Sequence, residues 1–284
     1  MIRNYYSITK PGIIYGNAIT VVAGFLLASG RHIDWWLMLA TLIGLSLVVA
    51  SGCVMNNYID RDIDGLMERT KTRSLVTGSI TPQNALIFGK ILAVLGLGIL
   101  YFYTNLLTAV MALVGLFVYV VVYSMWLKRT STHGTIIGSI SGAMPPVVGY
   151  LAVSGSIDLG VVILFFILAL WQMPHSFAIA IYRLEDYTKA RIPVLPVKKG
   201  IAITKIHMLI YTALFVMTTF LLAVFGYVGY AYLSVMMMLG FGWLGLCAKG
   251  FFTTNDKLWA RNMFIYSIII LVAFCIMIGI ESFF

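Results

Sequence analysis

Long apolar segments recur along this chain, and each is long enough to cross a lipid bilayer as an α-helix. A bilayer core of about 30 Å needs roughly 20 apolar residues in a helix. Windows of that length fit at nine places, centred near residues 20, 46, 94, 115, 143, 170, 216, 238 and 272. The sequence therefore predicts an all-α membrane protein of about nine transmembrane helices, folded as a single domain over residues 1–284 and embedded in the lipid bilayer.

The charged residues of the chain are few and unevenly distributed. Hydrophobic residues make up 61% of the sequence and charged residues 10%, which excludes an ordinary soluble domain. The net charge of +9 has a simpler explanation than nucleic-acid binding, because cytoplasmic loops of membrane proteins are enriched in Lys and Arg. With a cytoplasmic N-terminus, nine helices place all of the 19 Lys and Arg residues except Arg31 on the cytoplasmic side. We therefore predict this orientation and no nucleic-acid partner.

The two largest charged loops are spaced as in an internal repeat. They span about residues 57–83 and 183–205 and follow the second and the sixth predicted helix. Two four-helix pseudo-repeats and a ninth helix would place the loops in equivalent positions. The sequence thus predicts that both loops face one cytoplasmic opening.

The stretch NNYIDRDIDG places acidic residues at the end of the second apolar segment. Asn56, Asp60 and Asp64 are spaced four residues apart, so on a helix their side chains follow one face with a drift of about 40° per step. A column of oxygen ligands suits Mg²⁺, which often takes its other ligands from water and substrate phosphates. The alternative is a solvated loop in which the aspartates pair with nearby basic side chains.

The second large loop mixes carboxylates with cations. Its sequence YRLEDYTKARIPVLPVKK contains Glu185 and Asp186 together with Arg183, Lys189, Arg191, Lys198 and Lys199. Carboxylates can hold Mg²⁺, and Arg or Lys can neutralise phosphate oxygens. Together with the first loop and with Lys128 and Arg129 after the fourth helix, this segment predicts a diphosphate site whose lipid tail lies between the helices.

The sixth predicted helix has a polar stripe on an otherwise apolar surface. The stripe consists of Gln172, His175, Ser176, Tyr182, Arg183 and Asp186. Polar groups within a bilayer are costly and usually face an internal cavity. A hydrogen-bonded packing role for His175 is the alternative interpretation.

These motifs resemble the UbiA superfamily of intramembrane prenyltransferases. Asn56, Asp60 and Asp64 match its NxxxDxxxD motif, and the run WQMPHSFAIAIYRLEDY…IPVLPV is similar to the branch that farnesylates protoheme. The resemblance implies nine transmembrane helices in a bacterial inner membrane, with a cytoplasmic active site. It further implies transfer of farnesyl from farnesyl diphosphate to a vinyl group of heme B, with addition of water, which gives heme O and diphosphate.

Site roles follow from the resemblance, position by position. It implies that Asn56, Asp60, Asp64 and Asp186 hold Mg²⁺, although Ala190 stands where many superfamily members have a second aspartate. Expected catalytic residues are Asp60, Asp64, Asp186, Arg183 and Lys128. Expected substrate-binding residues are Asn56, Arg129, Tyr182, Lys189, Lys198 and Lys199.

The heme is expected to be a substrate and not a cofactor. We expect His175 to touch or orient its iron, with His207 as the second candidate, because imidazole is a suitable iron ligand. A heme A synthase or a terminal oxidase would receive the product. The alternatives are prenyl transfer to an aromatic quinone precursor and a secondary transporter for an anionic lipid or metabolite.

Overall fold

The computed structural model of the chain describes residues 2–283. Within this range, nine helices are long and apolar enough to span a membrane. They are α1 (Pro11–Ser29), α2 (Trp35–Ile59), α3 (Pro82–Tyr103), α4 (Leu106–Thr130), α5 (Gly134–Ser154), α6 (Leu159–Tyr182), α7 (Leu195–Val224), α8 (Tyr230–Phe252) and α9 (Asp256–Phe283). The predicted all-α membrane architecture is therefore confirmed over the described residues.

Several helix ends differ from the sequence-based expectation. Helix α2 continues to Ile59, and Arg61–Asp64 forms a separate short helix after a backbone turn at Asp60. Helix α7 begins at Leu195, because the chain remains helical on both sides of a break at Gly200, where φ is 83°. The two charged loops are consequently shorter than 57–83 and 183–205. Short helices also lie at Ile2–Ile8 and Leu184–Lys189.

Part of α4 is wound more widely than an α-helix. Residues Val118–Leu127 form a π-helix, which continues into Lys128–Thr130. Stretches of π-helix are rare and are frequent at functional sites. This winding sets the direction in which the last side chains of α4 leave the helix.

The packing of the helices repeats with an offset of four. Helix α2 packs against α3 as α6 packs against α7, and α2 contacts α5 as α6 contacts α9. Helices α1 and α9 also contact each other, which closes the arrangement. This pattern agrees with two four-helix units and a ninth helix.

Small residues allow the closest helix contacts. An added Cβ on Gly96 of α3 would lie 2.6 Å from the carbonyl oxygen of Gly44 in α2, so neither helix could keep its position with a larger residue there. Large side chains such as Trp36 and Phe102 point outwards and are exposed. This combination is typical of helices that pack through small residues and present apolar side chains to lipid.

Candidate functional site

A cavity of about 800 Å³ lies among the helices. Its walls come from α1, α2, α4, α5, α6 and α9, and it extends from the charged loops into the apolar interior. The volume lies within the range of about 300–1,000 Å³ that is common for small-molecule sites. The acidic motif and His175 both line this cavity.

The acidic motif is buried at the charged end of the cavity. Asn56 lies in the last turn of α2, Asp60 directly follows that helix, and Asp64 ends the next short helix. Their exposed fractions are 4%, 0% and 2%. A solvated loop therefore does not describe these side chains, whereas the neighbouring Asp62 is exposed.

Each buried member of the motif has its own cation. The Lys10 Nζ donates to Asn56 Oδ1 at 2.5 Å, and the Arg73 Nη1 donates to Asp64 Oδ2 at 2.5 Å. The Lys128 Nζ donates to Asp60 Oδ2, which also accepts from Asn56 Nδ2 at 2.8 Å. The cavity end thus holds carboxylates and cations in contact, the arrangement that a metal–diphosphate substrate requires.

The pKa values of Lys10 and Asp62 are both lowered, but by different causes. Burial lowers the pKa of the Lys10 ammonium to about 8, with the Arg73 and Lys128 charges acting in the same direction. Hydrogen bonds from Arg129 lower the pKa of Asp62 to about 2. The Arg129 guanidinium binds both oxygens of Asp62 at 2.7 Å and lies 3.7 Å from Asp60 Oδ1, so Asp62 fixes Arg129 near the motif.

The second loop covers the first at the rim of the cavity. Met67 packs against Ala190 and Ile192, and the Asp186 Oδ1 accepts a 3.3 Å hydrogen bond from the Glu68 backbone N–H. Tyr187 lines the cavity, and burial raises the pKa of its hydroxyl. The two loops therefore meet at one opening, as the spacing of the repeat predicts.

Several residues proposed from the second loop lie outside the cavity lining. Arg183, Lys189, Lys198 and Lys199 are exposed, and Asp186 is half-buried. Tyr182 is half-buried beneath the Arg183 guanidinium, which lies 4.9 Å from its ring centroid. The structure brings Asn56, Asp60, Asp64, Lys128 and His175 together around the cavity and does not place this second group in its lining.

Hydrogen bonds orient the ring of His175. Its Nδ1 lies 2.7 Å from the Ser267 Oγ, which itself donates to the Phe264 carbonyl oxygen at 2.6 Å. Because the single hydroxyl proton of Ser267 is used there, His175 Nδ1 must be the donor, and Nε2 carries the lone pair. The ring also stacks on Trp171 with centroids 4.6 Å apart. His207 instead packs against Phe177 and Tyr211, outside the lining.

Sequence analysis missed four residues at this site. Lys10 and Arg73 bind the acidic motif, and Tyr119 and Tyr123 line the cavity as a stacked pair with centroids 5.9 Å apart. One indication for Lys10 was present in the sequence, because Lys10 directly precedes Pro11, which begins α1. No pattern in the sequence indicated the tyrosine pair, because the direction of these two side chains depends on the π-helix.

The motif also fits a hard divalent cation. The Asp60 Oδ1 is buried and has no hydrogen-bond partner among residues 2–283, although a buried carboxylate oxygen is normally paired. No group of three His, Cys, Asp or Glu side chains in the described part of the chain forms a complete metal site. Mg²⁺ does not require one, because one or two carboxylates suffice when substrate phosphates and water supply the other ligands.

Comparison with known sequences gives consistent matches along the chain. Residues 17–268 match the model of the UbiA prenyltransferase family. A protein from Photorhabdus laumondii subsp. laumondii named protoheme IX farnesyltransferase is 53% identical over 99% of this chain and 96% of its own length.

Two solved structures share the fold. The first, described as digeranylgeranylglyceryl phosphate synthase in membranes, has a TM-score of 0.83 at 22% identity and covers 99% of this chain and 98% of its own. The second is a UbiA homolog from Archaeoglobus fulgidus bound to GPP and Mg²⁺. It has a TM-score of 0.70 at 15% identity over 97% of this chain and 99% of its own.

Proposed function

Because this chain belongs to the UbiA prenyltransferase family, we propose that it transfers the farnesyl group of farnesyl diphosphate to a vinyl group of heme B. Water adds in the same reaction, and the products are heme O and diphosphate. The main support is one membrane cavity that combines a buried acid–cation cluster with an oriented histidine. The name of the 53% identical relative supports heme as the acceptor over a quinone precursor or a transported lipid.

The charged end of the cavity binds the diphosphate in this proposal. Mg²⁺, the divalent cation named for the A. fulgidus homolog, would be held by Asp60 and Asp64 and would neutralise charge on the leaving diphosphate. Lys10, Arg73 and Lys128 are positioned to bind its outer oxygens, because their ammonium and guanidinium groups already lie at the motif. Electrostatic preorganisation of this kind lowers the barrier to C–O bond cleavage without a protein nucleophile.

The apolar interior protects the allylic cation that forms when diphosphate leaves. Tyr119 and Tyr123 line this region, and aromatic faces stabilise nearby cations. The walls keep water away until the vinyl carbon has attacked, after which water supplies the hydroxyl group. His175 orients the acceptor by binding the heme iron through Nε2.

We further propose that the charged loops face the bacterial cytoplasm, since Arg31 alone among the Lys and Arg residues lies on the other side. In the charged loops, Asp186 would help to hold the metal, and the Arg183 and Arg129 side chains would bind the diphosphate. Tyr182, Lys189, Lys198 and Lys199 meet the entering substrates, and His207 remains a weaker candidate for heme contact. The product would pass to a heme A synthase or a terminal oxidase.

Incubation of the purified protein with heme B, farnesyl diphosphate and Mg²⁺ tests the proposed reaction. We expect heme O by mass spectrometry, and a chelator should abolish it because the charge on diphosphate is then not neutralised. Added excess Mg²⁺ should restore product, which controls for damage by the chelator. Heme O formation that continues unchanged in chelator would contradict the proposed metal.

Lys10 should contribute to binding of farnesyl diphosphate. We expect Lys10→Ala to raise the KM for this substrate roughly tenfold, because a charge-assisted hydrogen bond is lost. Lys71→Ala is the matched control, since Lys71 is exposed and pairs with Glu68 outside the cavity. An unchanged KM in Lys10→Ala would remove Lys10 from the diphosphate site.

A further inference from the structure

The apolar part of the cavity has α2 and α4 on one side. The part of the cavity that residues of these two helices line is here called the α2–α4 arm. The lining residues of α2 alternate between steps of three and one position, from the rim inwards: Asn56, Cys53, Gly52, Val49, Val48 and Leu45. This spacing keeps one face of α2 along the whole arm.

Packed side chains close the inner end of the α2–α4 arm. Leu45, Val48 and Ala112 line the cavity and also belong to a core cluster that joins α1, α2, α3, α4 and α5. Their exposed fractions are 3%, 3% and 2%. Since each contacts the cavity on one side and the packed core on the other, these three residues form the floor of the arm.

The length of the arm matches one class of prenyl chain. Asn56 and Leu45 are eleven residues apart on one helix, which corresponds to about 17 Å at the usual rise per residue. An extended fifteen-carbon farnesyl chain measures about 15 Å at ordinary bond lengths. One further isoprene unit adds about 4–5 Å, so a geranylgeranyl chain would collide with the floor.

We infer that Leu45, Val48 and Ala112 set the accepted prenyl length at fifteen carbons by closing the α2–α4 arm. This inference rests on the proposed function in one respect, namely that the donor is a prenyl diphosphate. Removal of atoms from the floor extends the arm, and addition of atoms shortens it. A hydrophobic pocket discriminates by about 10- to 200-fold per misplaced methylene, so measurable changes are expected.

Binding of prenyl diphosphates to the full-length protein in nanodiscs with Mg²⁺ tests this inference without any acceptor. The wild type should bind farnesyl diphosphate about tenfold more tightly than geranylgeranyl diphosphate. Leu45→Ala and the milder Val48→Ala should bring the two affinities close together. Ala112→Leu should instead favour geranyl over farnesyl diphosphate by about tenfold.

Val148→Ala is the matched control. Val148 is fully buried in the same core cluster but does not line the cavity, so its truncation loosens the same packing without lengthening the arm. Its chain-length preference should equal that of the wild type. Wild-type preference in Leu45→Ala and Val48→Ala, with farnesyl diphosphate still bound, would overturn the inference.

The binding assay separates this inference from the proposed reaction. The expected shift in chain-length preference supports the role of the three floor residues even if the same protein makes no heme O. The missing product would then count only against heme as the acceptor. Failure of the folded wild type to bind any of the three diphosphates would overturn both.

Discussion

Asp60→Asn should lower the rate of heme O formation by about 10³-fold or more. One oxygen of Asp60 accepts from Lys128 and Asn56, and the other is buried without a hydrogen-bond partner in the described chain. Substitution with an amide removes the negative charge that would hold Mg²⁺ and keeps nearly the same shape. Turnover with saturating heme B and farnesyl diphosphate, at several Mg²⁺ concentrations, measures the effect.

Asp62→Asn provides a control within the same short segment. Asp62 is exposed, binds Arg129 and does not line the cavity, so its loss should reduce turnover by severalfold at most. A comparison of thermal unfolding for both variants separates catalysis from stability, because Asp60→Asn leaves Lys128 without its carboxylate. Nearly full activity of a folded Asp60→Asn protein would exclude Asp60 as a metal ligand.

His175→Ala should weaken heme binding about 10- to 100-fold while the affinity for farnesyl diphosphate stays within twofold. His175 lines the cavity, and because its Nδ1 donates to Ser267, the lone pair that can bind iron is on Nε2. Loss of an iron ligand should also change the Soret absorption of bound heme B. Titration of each variant with heme B gives the affinity and the spectrum together.

Two further variants define what His175 does. Ser267→Ala keeps the imidazole but frees its orientation, so it should weaken heme binding by about tenfold and preserve the Soret band of the ligated iron. His207→Ala should change heme binding much less, because His207 packs against Phe177 and Tyr211 outside the lining. An unchanged heme affinity and Soret band in His175→Ala would return His175 to a packing role.

The second loop illustrates a limit of sequence analysis. Its charges suit a diphosphate site, yet Arg183, Lys189, Lys198 and Lys199 are exposed and do not line the cavity. Composition places these side chains in a loop that contacts the first loop, but it cannot say which of them turn towards the cavity. Besides Lys128, the cations that reach the motif are Lys10, which precedes α1, and Arg73, which lies in the first loop.

Local patterns in the sequence determined the nine membrane helices of the described chain and the grouping of Asn56, Asp60 and Asp64 at the end of the second of them. These features depend on hydropathy over about 20 residues and on the spacing of side chains along one helix. Both are properties of continuous stretches of chain, so no knowledge of the fold is needed to detect them.

Tertiary structure alone decided the partners and the shape of the site. Lys128 is 68 residues from Asp60, and Ser267 is 92 residues from His175. In a bilayer, side chains that face lipid and side chains that face a neighbouring helix are equally apolar, so hydropathy does not reveal which faces pack. The floor at Leu45, Val48 and Ala112 therefore appears only when the helices are assembled.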